Sequence, residues 1–225
     1  MPNWCNTRMT IIGSEEECKR FMAGVLRVEH EEPIYDFSKQ PYEQTGTRTV
    51  EDLKILQAFY PCPEELHDIT SPVREEQAEL AQEMKAKYGS TDWYSWQNEN
   101  WGTKWGDCRT SLESEDTDND GNYIVSYAFE TPWGTATKAF IKISEMFPTL
   151  RFDFFHDEEA GFFQGCEVIK NGKVVYEGFF APCEYDVQMP SCDDEEAYEK
   201  WSNDHDEWRQ EQQYLIDKEV DALKI

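Results

Sequence analysis

The sequence predicts an α+β fold: a ferredoxin-like sandwich, with an antiparallel sheet and helices on one face. Three observations predict it. Segments 4–12, 123–129 and 150–156 read as half-buried strands by their alternating apolar residues, and 109–115 reads as the hairpin partner of 123–129 across an Asp-Asn-Asp-Gly turn. They recur at helical spacing in two segments, one after the first strand and one after the third. The resulting order, strand, helix, strand, strand, helix, strand, is the split βαβ arrangement.

Each element has its own local cause. The first strand stops at Gly13, where Ser14 offers an N-cap and Glu17 completes a capping box. Cys18, Phe21, Met22, Val25 and Leu26 share the buried face of the helix that follows, which dissolves near Arg27. Residues 28–108 read as a helical insertion. Thr49 is placed to cap a short helix carrying Leu53, Leu56 and Phe59, stopped by Pro61-Cys62-Pro63. Ser71-Pro72 opens another, with Val73, Gln77, Leu80, Ala81, Met84 and Tyr88 on one face and Gly89 as terminator. The second and third strands meet at an Asp-Asn-Asp-Gly turn. The helix at 136–147 buries Ala139, Phe140, Ile143 and Phe147 and ends at Pro148. A further hairpin, 162–169 and 174–180, turns at Asn171-Gly172, where both residues need positive φ.

From Asp193 onward the chain reads as one long helix. Tyr198, Trp201, His205, Trp208, Gln212 and Leu215 form a heptad-like seam, too short and too polar for a sustained coiled coil. The expected role is packing on the domain through Trp201 and Trp208. The expected organisation is therefore a domain over 1–183 and an acidic helical extension over 184–225.

Charge limits the function. The 225 residues carry 47 acidic and 21 basic side chains, a formal net of −26. Residues 184–221 hold 14 acids against 3 bases, a disproportionate share. Phosphate repulsion argues against direct binding of nucleic acid or of an anionic membrane. The mean hydropathy of −0.79 is low, but 8 Trp and 14% aromatic content supply a core. No apolar run nears the ~20 residues that span a bilayer. The polar N-terminal stretch lacks a secretory pattern, and the 7 cysteines are odd in number and scattered. The expectation is a cytoplasmic chain with reduced thiols.

Few segments suggest chemistry. Asp116-Thr117-Asp118-Asn119-Asp120-Gly121 resembles half of a calcium loop, but Tyr127 stands where the bidentate Glu is needed. A solvated hairpin turn is the expectation. No Cys-x-x-Cys pair exists and the four histidines are spread out, so no metal is expected. His156-Asp157-Glu158-Glu159 sits at a strand end, where an acid–base pair is permissible and a charged turn is the plainer account. Cys5 has no identifiable base to activate it. The most distinctive segment is Trp101-Gly102-Thr103-Lys104-Trp105, which ends a tryptophan-dense run begun at Trp93. Its indoles either stack on a ligand, with Lys104 and Arg109 as local cations, or fill the gap between insertion and sheet.

Six short segments in order resemble a known family. They are Met1 to Arg8 (MPNWCNTR), Pro61 to Leu66 (PCPEEL), Trp101 to Trp105 (WGTKW), Phe129 to Trp133 (FETPW), Phe147 to Leu150 (FPTL) and Glu159 to Gly165 (EAGFFQG). The set resembles a family of phage- and plasmid-borne proteins of unknown function that carry a ferredoxin-like domain. The likeness covers most of 1–180 and leaves the acidic tail looking peculiar to this chain. It implies the fold and a mobile-element origin, and no activity, substrate or catalytic residue.

The function these observations predict is non-enzymatic binding. The leading expectation is a phage-encoded inhibitor of a host defence or nucleic-acid-binding protein. Its partner would present a basic surface to Asp193, Asp194, Glu195, Glu196, Asp204, Asp206 and Glu207, in the strongest form by DNA mimicry. The alternative is capture of a nucleotide or other small ligand by Trp101, Lys104, Trp105, Arg109 and Trp133. Neither requires a cofactor.

Overall fold

The structure is a computed structural model that describes residues 2–191 and 193–223. Eight strands form one antiparallel sheet: β1 (Trp4–Gly13), β2 (Leu26–Asp36), β3 (Glu43–Lys54), β4 (Cys108–Thr117), β5 (Tyr123–Pro132), β6 (Arg151–Glu158), β7 (Gln164–Lys170) and β8 (Lys173–Phe180). Their order is β2-β3-β4-β5-β1-β6-β7-β8. The middle four, β4-β5-β1-β6, are the ferredoxin-like sheet, with α1 (Glu15–Gly24) and α5 (Thr137–Met146) on one face. Ser14 caps α1, accepting from the Glu17 amide at 3.3 Å. Asn171 and Gly172 turn β7 into β8 at φ 47° and 75°, the positive values that the right-handed twist of a two-residue hairpin demands.

The core lies between this sheet and the two helices. Phe21 of α1 is fully buried, with its ring 5.2 Å from Phe147, 5.7 Å from Phe152 and 6.1 Å from Tyr127. Met9, Ile11, Val125, Phe129, Phe140, Ile143 and Phe154 pack in the same core.

The insertion differs from the expectation. It opens with a hairpin arm, β2 and β3, before its helices α2 (Leu56–Phe59), α3 (Ala78–Tyr88) and α4 (Trp93–Asn100). The arm is exposed on both faces over most of its length, so no apolar alternation marks it. Thr49 lies inside β3 and caps nothing. The third helix starts at Ala78 rather than at Pro72, because Gln77 folds the preceding segment back on itself: its Oε1 accepts from the Thr70 amide and hydroxyl, and its Nε2 donates to Asp68 O. Gly89 terminates α3 in the left-handed conformation, as predicted.

The acidic tail forms α6 (Glu195–Asp221), which lies on the other face of the sheet, against β7 and β8. Trp208 meets Phe180 edge-on at 5.5 Å. Tyr198 and Leu215 are exposed and Ile216 takes the inner position. A straight helix of 3.6 residues per turn drifts off a heptad seam in this way. Among the described residues, no helix is long and apolar enough to cross a membrane.

Candidate ligand-binding cleft

The tryptophan-dense run resolves into a capped helix and a tight turn. Asp92 starts α4, its Oδ1 accepting from the Ser95 amide at 2.9 Å. Trp96 and Trp101 project from α4 and its end into the insertion's core, 5.7 Å apart and edge to face. The Trp101 indole donates to Tyr60 O at 2.8 Å, so its polar end is satisfied although the ring is buried. Thr103 is buried and donates to Pro132 O at 2.6 Å, tying the segment to the end of β5. Trp105 is 49% exposed at φ 65°, and its amide donates to Gln97 Oε1 at 2.9 Å. Gly106 follows at φ 71°, and a Cβ there would lie 3.1 Å from the Trp101 ring. A side chain there would press on that ring and strain the backbone, so glycine suits the crossing.

Asp107 anchors the turn. It is buried, and its carboxylate accepts from the Ile55 and Leu56 amides at 2.8 and 2.9 Å and from the Thr110 hydroxyl at 2.7 Å. A residue about fifty positions downstream thus caps the first turn of α2.

Between this segment and the base of the arm is a cleft of about 530 Å³. Trp93, Trp101 and Trp105 line it, facing Leu26 and Val28 from β2, and Gln57, His67 and Gln97 supply polar edges. Its size and largely apolar walls fall within the usual range for small-molecule sites. Its charges are already engaged. Lys54 pairs with Asp52 at 2.5 Å and donates to Asp107 O at 3.1 Å, and Asp107 holds the α2 terminus.

Of the five candidate ligand residues, two line this cleft: Trp101 as its buried floor and Trp105 as its rim. Lys104 lies next to it, with its ammonium 3.9 Å from the Trp105 ring. Arg109 and Trp133 lie elsewhere. Arg109 occupies a bulge at the start of β4, at φ 50°, which swings its guanidinium over Trp4 at 4.4 Å and into a pair with Glu130. Trp133 is 56% exposed in the turn after β5, and its amide donates to Asn3 O. Val28, His67 and Asp107 escaped the sequence reading because no local pattern links them to the tryptophans. Leu26, expected on the buried face of the first helix, instead opens β2 and is exposed, because α1 ends at Gly24.

The Cys and His residues considered for catalysis do meet. Cys5 Sγ lies 3.9 Å from His156 Nδ1, which shares a 2.9 Å hydrogen bond with Thr7 Oγ1. His156 Nε2 has no hydrogen-bond partner and stands 3.7 Å from Glu167 Oε2, both side chains buried. Burial pushes the Cys5 thiol up to about 11, and the nearby Glu158 and Asp157 carboxylates add to this. The thiolate a nucleophile needs is therefore suppressed near neutrality. Asp118 accepts from the Asp120 and Asn122 amides, so the calcium-like loop is a hairpin turn closed by its own carboxylate. Among the described residues, no cluster of three or more His, Cys, Asp or Glu has a metal-holding arrangement.

The family model for the ferredoxin-like domain in Api92-like protein matches residues 101–213. The chain belongs to this family. The match begins at Trp101 and runs through β4–β8 and α5 into α6. Residues 195–213 of α6 thus fall within the matched segment. A crystal structure of a protein api92 from Yersinia pseudotuberculosis is similar over 80% of this chain and 99% of that one, at 11% identity and a TM-score of 0.42. No curated protein matches the chain. The function of the family is unknown.

Proposed function

We propose that this chain is a non-enzymatic binding protein that captures a planar aromatic small molecule in the cleft between the arm and the Trp101–Trp105 segment. One observation carries the reading: three indoles line one cavity of ligand size, and one of them, Trp105, is half exposed at its rim. Base–aromatic stacking contributes about 1–3 kcal/mol per ring. The engaged state of Lys54 and Asp107 and the net charge of −26 weigh against a phosphate-rich ligand. A nucleobase or nucleoside fits the chemistry better than a nucleotide. The test is calorimetric titration with adenosine, guanosine and their monophosphates, repeated on Trp105→Ala. The expected outcome is saturable nucleoside binding, weaker for the monophosphates and reduced roughly tenfold or more by the substitution. Binding that Trp105→Ala leaves unchanged, or no binding to any of the four, sinks the reading.

A second reading is favoured by the mounting of α6. Asp193, Asp194, Glu195, Glu196, Asp204, Asp206 and Glu207 are all exposed, and none forms an ion pair with a described residue. With the helix anchored on the sheet, these carboxylates form a fixed acidic surface suited to a basic partner, such as the nucleic-acid-binding face of a host protein inhibited by a cytoplasmic phage product. Competition with DNA for such a face, lost when Asp204, Asp206 and Glu207 become Asn and Gln, is the expected result. Equal competition by that variant would reject it.

A further inference from the structure

A second cavity, of about 520 Å³, lies at the opposite end of the sheet, between α6, the segment 182–189 and the turn after β6. Its wall is aromatic. Tyr185 lies 5.0 Å from His205 and 6.3 Å from Trp201, and Trp201 stacks on His205 at 5.1 Å. The Trp201 indole is pinned by donating to Val187 O at 2.8 Å, and Met189 adds a thioether.

The charges of this cavity are unequal in number and in freedom. Asp157, Glu158 and Glu159 line it against a single cation, Arg209. Arg209 is committed to Asp157 at 3.2 Å and to Gln164 Oε1 at 2.6 and 2.8 Å. Glu158 is committed to the turn, its Oε2 accepting from the Ala160 and Phe162 amides at 3.0 Å. The Glu159 side chain is exposed and has no hydrogen bond or ion pair among the described residues. The cavity therefore combines a π-rich wall with one uncommitted carboxylate, within a chain of net charge −26 that concentrates cations around it.

We propose that this cavity binds an alkylammonium cation, its alkyl body against Tyr185, Trp201 and Met189 and its charge shared between the rings and Glu159. An anion would meet the surplus of carboxylates, and a neutral molecule would leave Glu159 without a role. The ammonium can belong to a free amine or to a lysine side chain of a protein. This site is independent of the tryptophan cleft, and either can fail without the other.

The test is NMR titration of the full chain in 150 mM salt with n-butylammonium, with the neutral analogue 1-butanol and with Nα-acetyl-lysine methylamide, following the Trp201 indole and the Glu159 amide. The expected result is a saturable shift with the two amines and none with 1-butanol. Glu159→Gln, a change at an exposed side chain, weakens binding by on the order of tenfold, and Trp201→Leu does the same. Tighter binding of the lysine analogue than of n-butylammonium assigns the natural ligand to a protein side chain, and the reverse to a free amine. Equal shifts with 1-butanol, a linear unsaturated response, or an unchanged affinity in Glu159→Gln would each overturn the proposal.

Discussion

Asp107 is the buried anchor of the turn that carries Trp105. Its buried carboxylate receives three hydrogen bonds from residues on two sides of the insertion. Replacing it by Ala strands two amides at the start of α2, and a loss of about 2–4 kcal/mol is expected in urea unfolding. A loss under about 0.5 kcal/mol, the range of a surface substitution, would refute this role. The thiols make a second residue-scale prediction. Burial pushes Cys5, Cys18 and Cys62 up to about 11 and Cys166 to about 12. In the native chain at pH 8, iodoacetamide is expected to label exposed Cys183 and to spare these four, as mass spectrometry of peptides will read. Their folded pKa values lie above the ordinary 9.0. Their contribution to stability is therefore whole below pH 9 and is lost as pH rises through 11–12.

At the scale of elements, the arm and α6 are opposites. The arm joins the rest of the sheet through one pairing, Leu53 with Thr110, and a two-stranded ribbon that buries little has marginal stability of its own. Excising 29–50 and closing the gap with Asn-Gly is expected to leave the thermal midpoint within about 3 °C, since little apolar surface is lost. A collapse of cooperative melting would show that the arm supports the domain. α6 is held along its length, by Trp208 on Phe180 at one point and by Gln213 on Cys166 at 3.1 Å at another. Trp208→Ala is expected to cost about 2–3 kcal/mol, below the range for fully buried aromatics because the ring is only part-buried. These two elements also separate what the sequence made legible from what it did not. Tail residues Trp201 and Trp208 stand out because large apolar side chains recur at helical spacing in a polar background. The arm has polar residues on both faces, and a strand with no buried face leaves no alternation to read.

For the whole molecule, 47 acids and 21 bases in 225 residues make self-repulsion a general cost of compactness. Raising salt from 0.05 to 0.5 M screens it, and each kcal/mol relieved is expected to raise the melting midpoint by roughly 2–4 °C. A midpoint that falls with salt would mean that ion pairs such as Arg151–Asp153 and Arg209–Asp157 outweigh the repulsion. The sequence by itself determined the strands and helices of the ferredoxin-like frame, the turns at Asn171-Gly172 and Asp118–Gly121, and the acidic character of the tail. Periodicity, turn chemistry and charge are properties of neighbours along the chain. Only the tertiary structure decided that Trp101 and Trp105 share a cleft with Leu26 and His67, that Arg109 and Trp133 do not, and that Cys5 meets His156 across 151 residues. Those proximities depend on strand order and on how the insertion folds back over the sheet edge. No local pattern encodes either, because contacts between distant segments are fixed by burial of the whole chain at once.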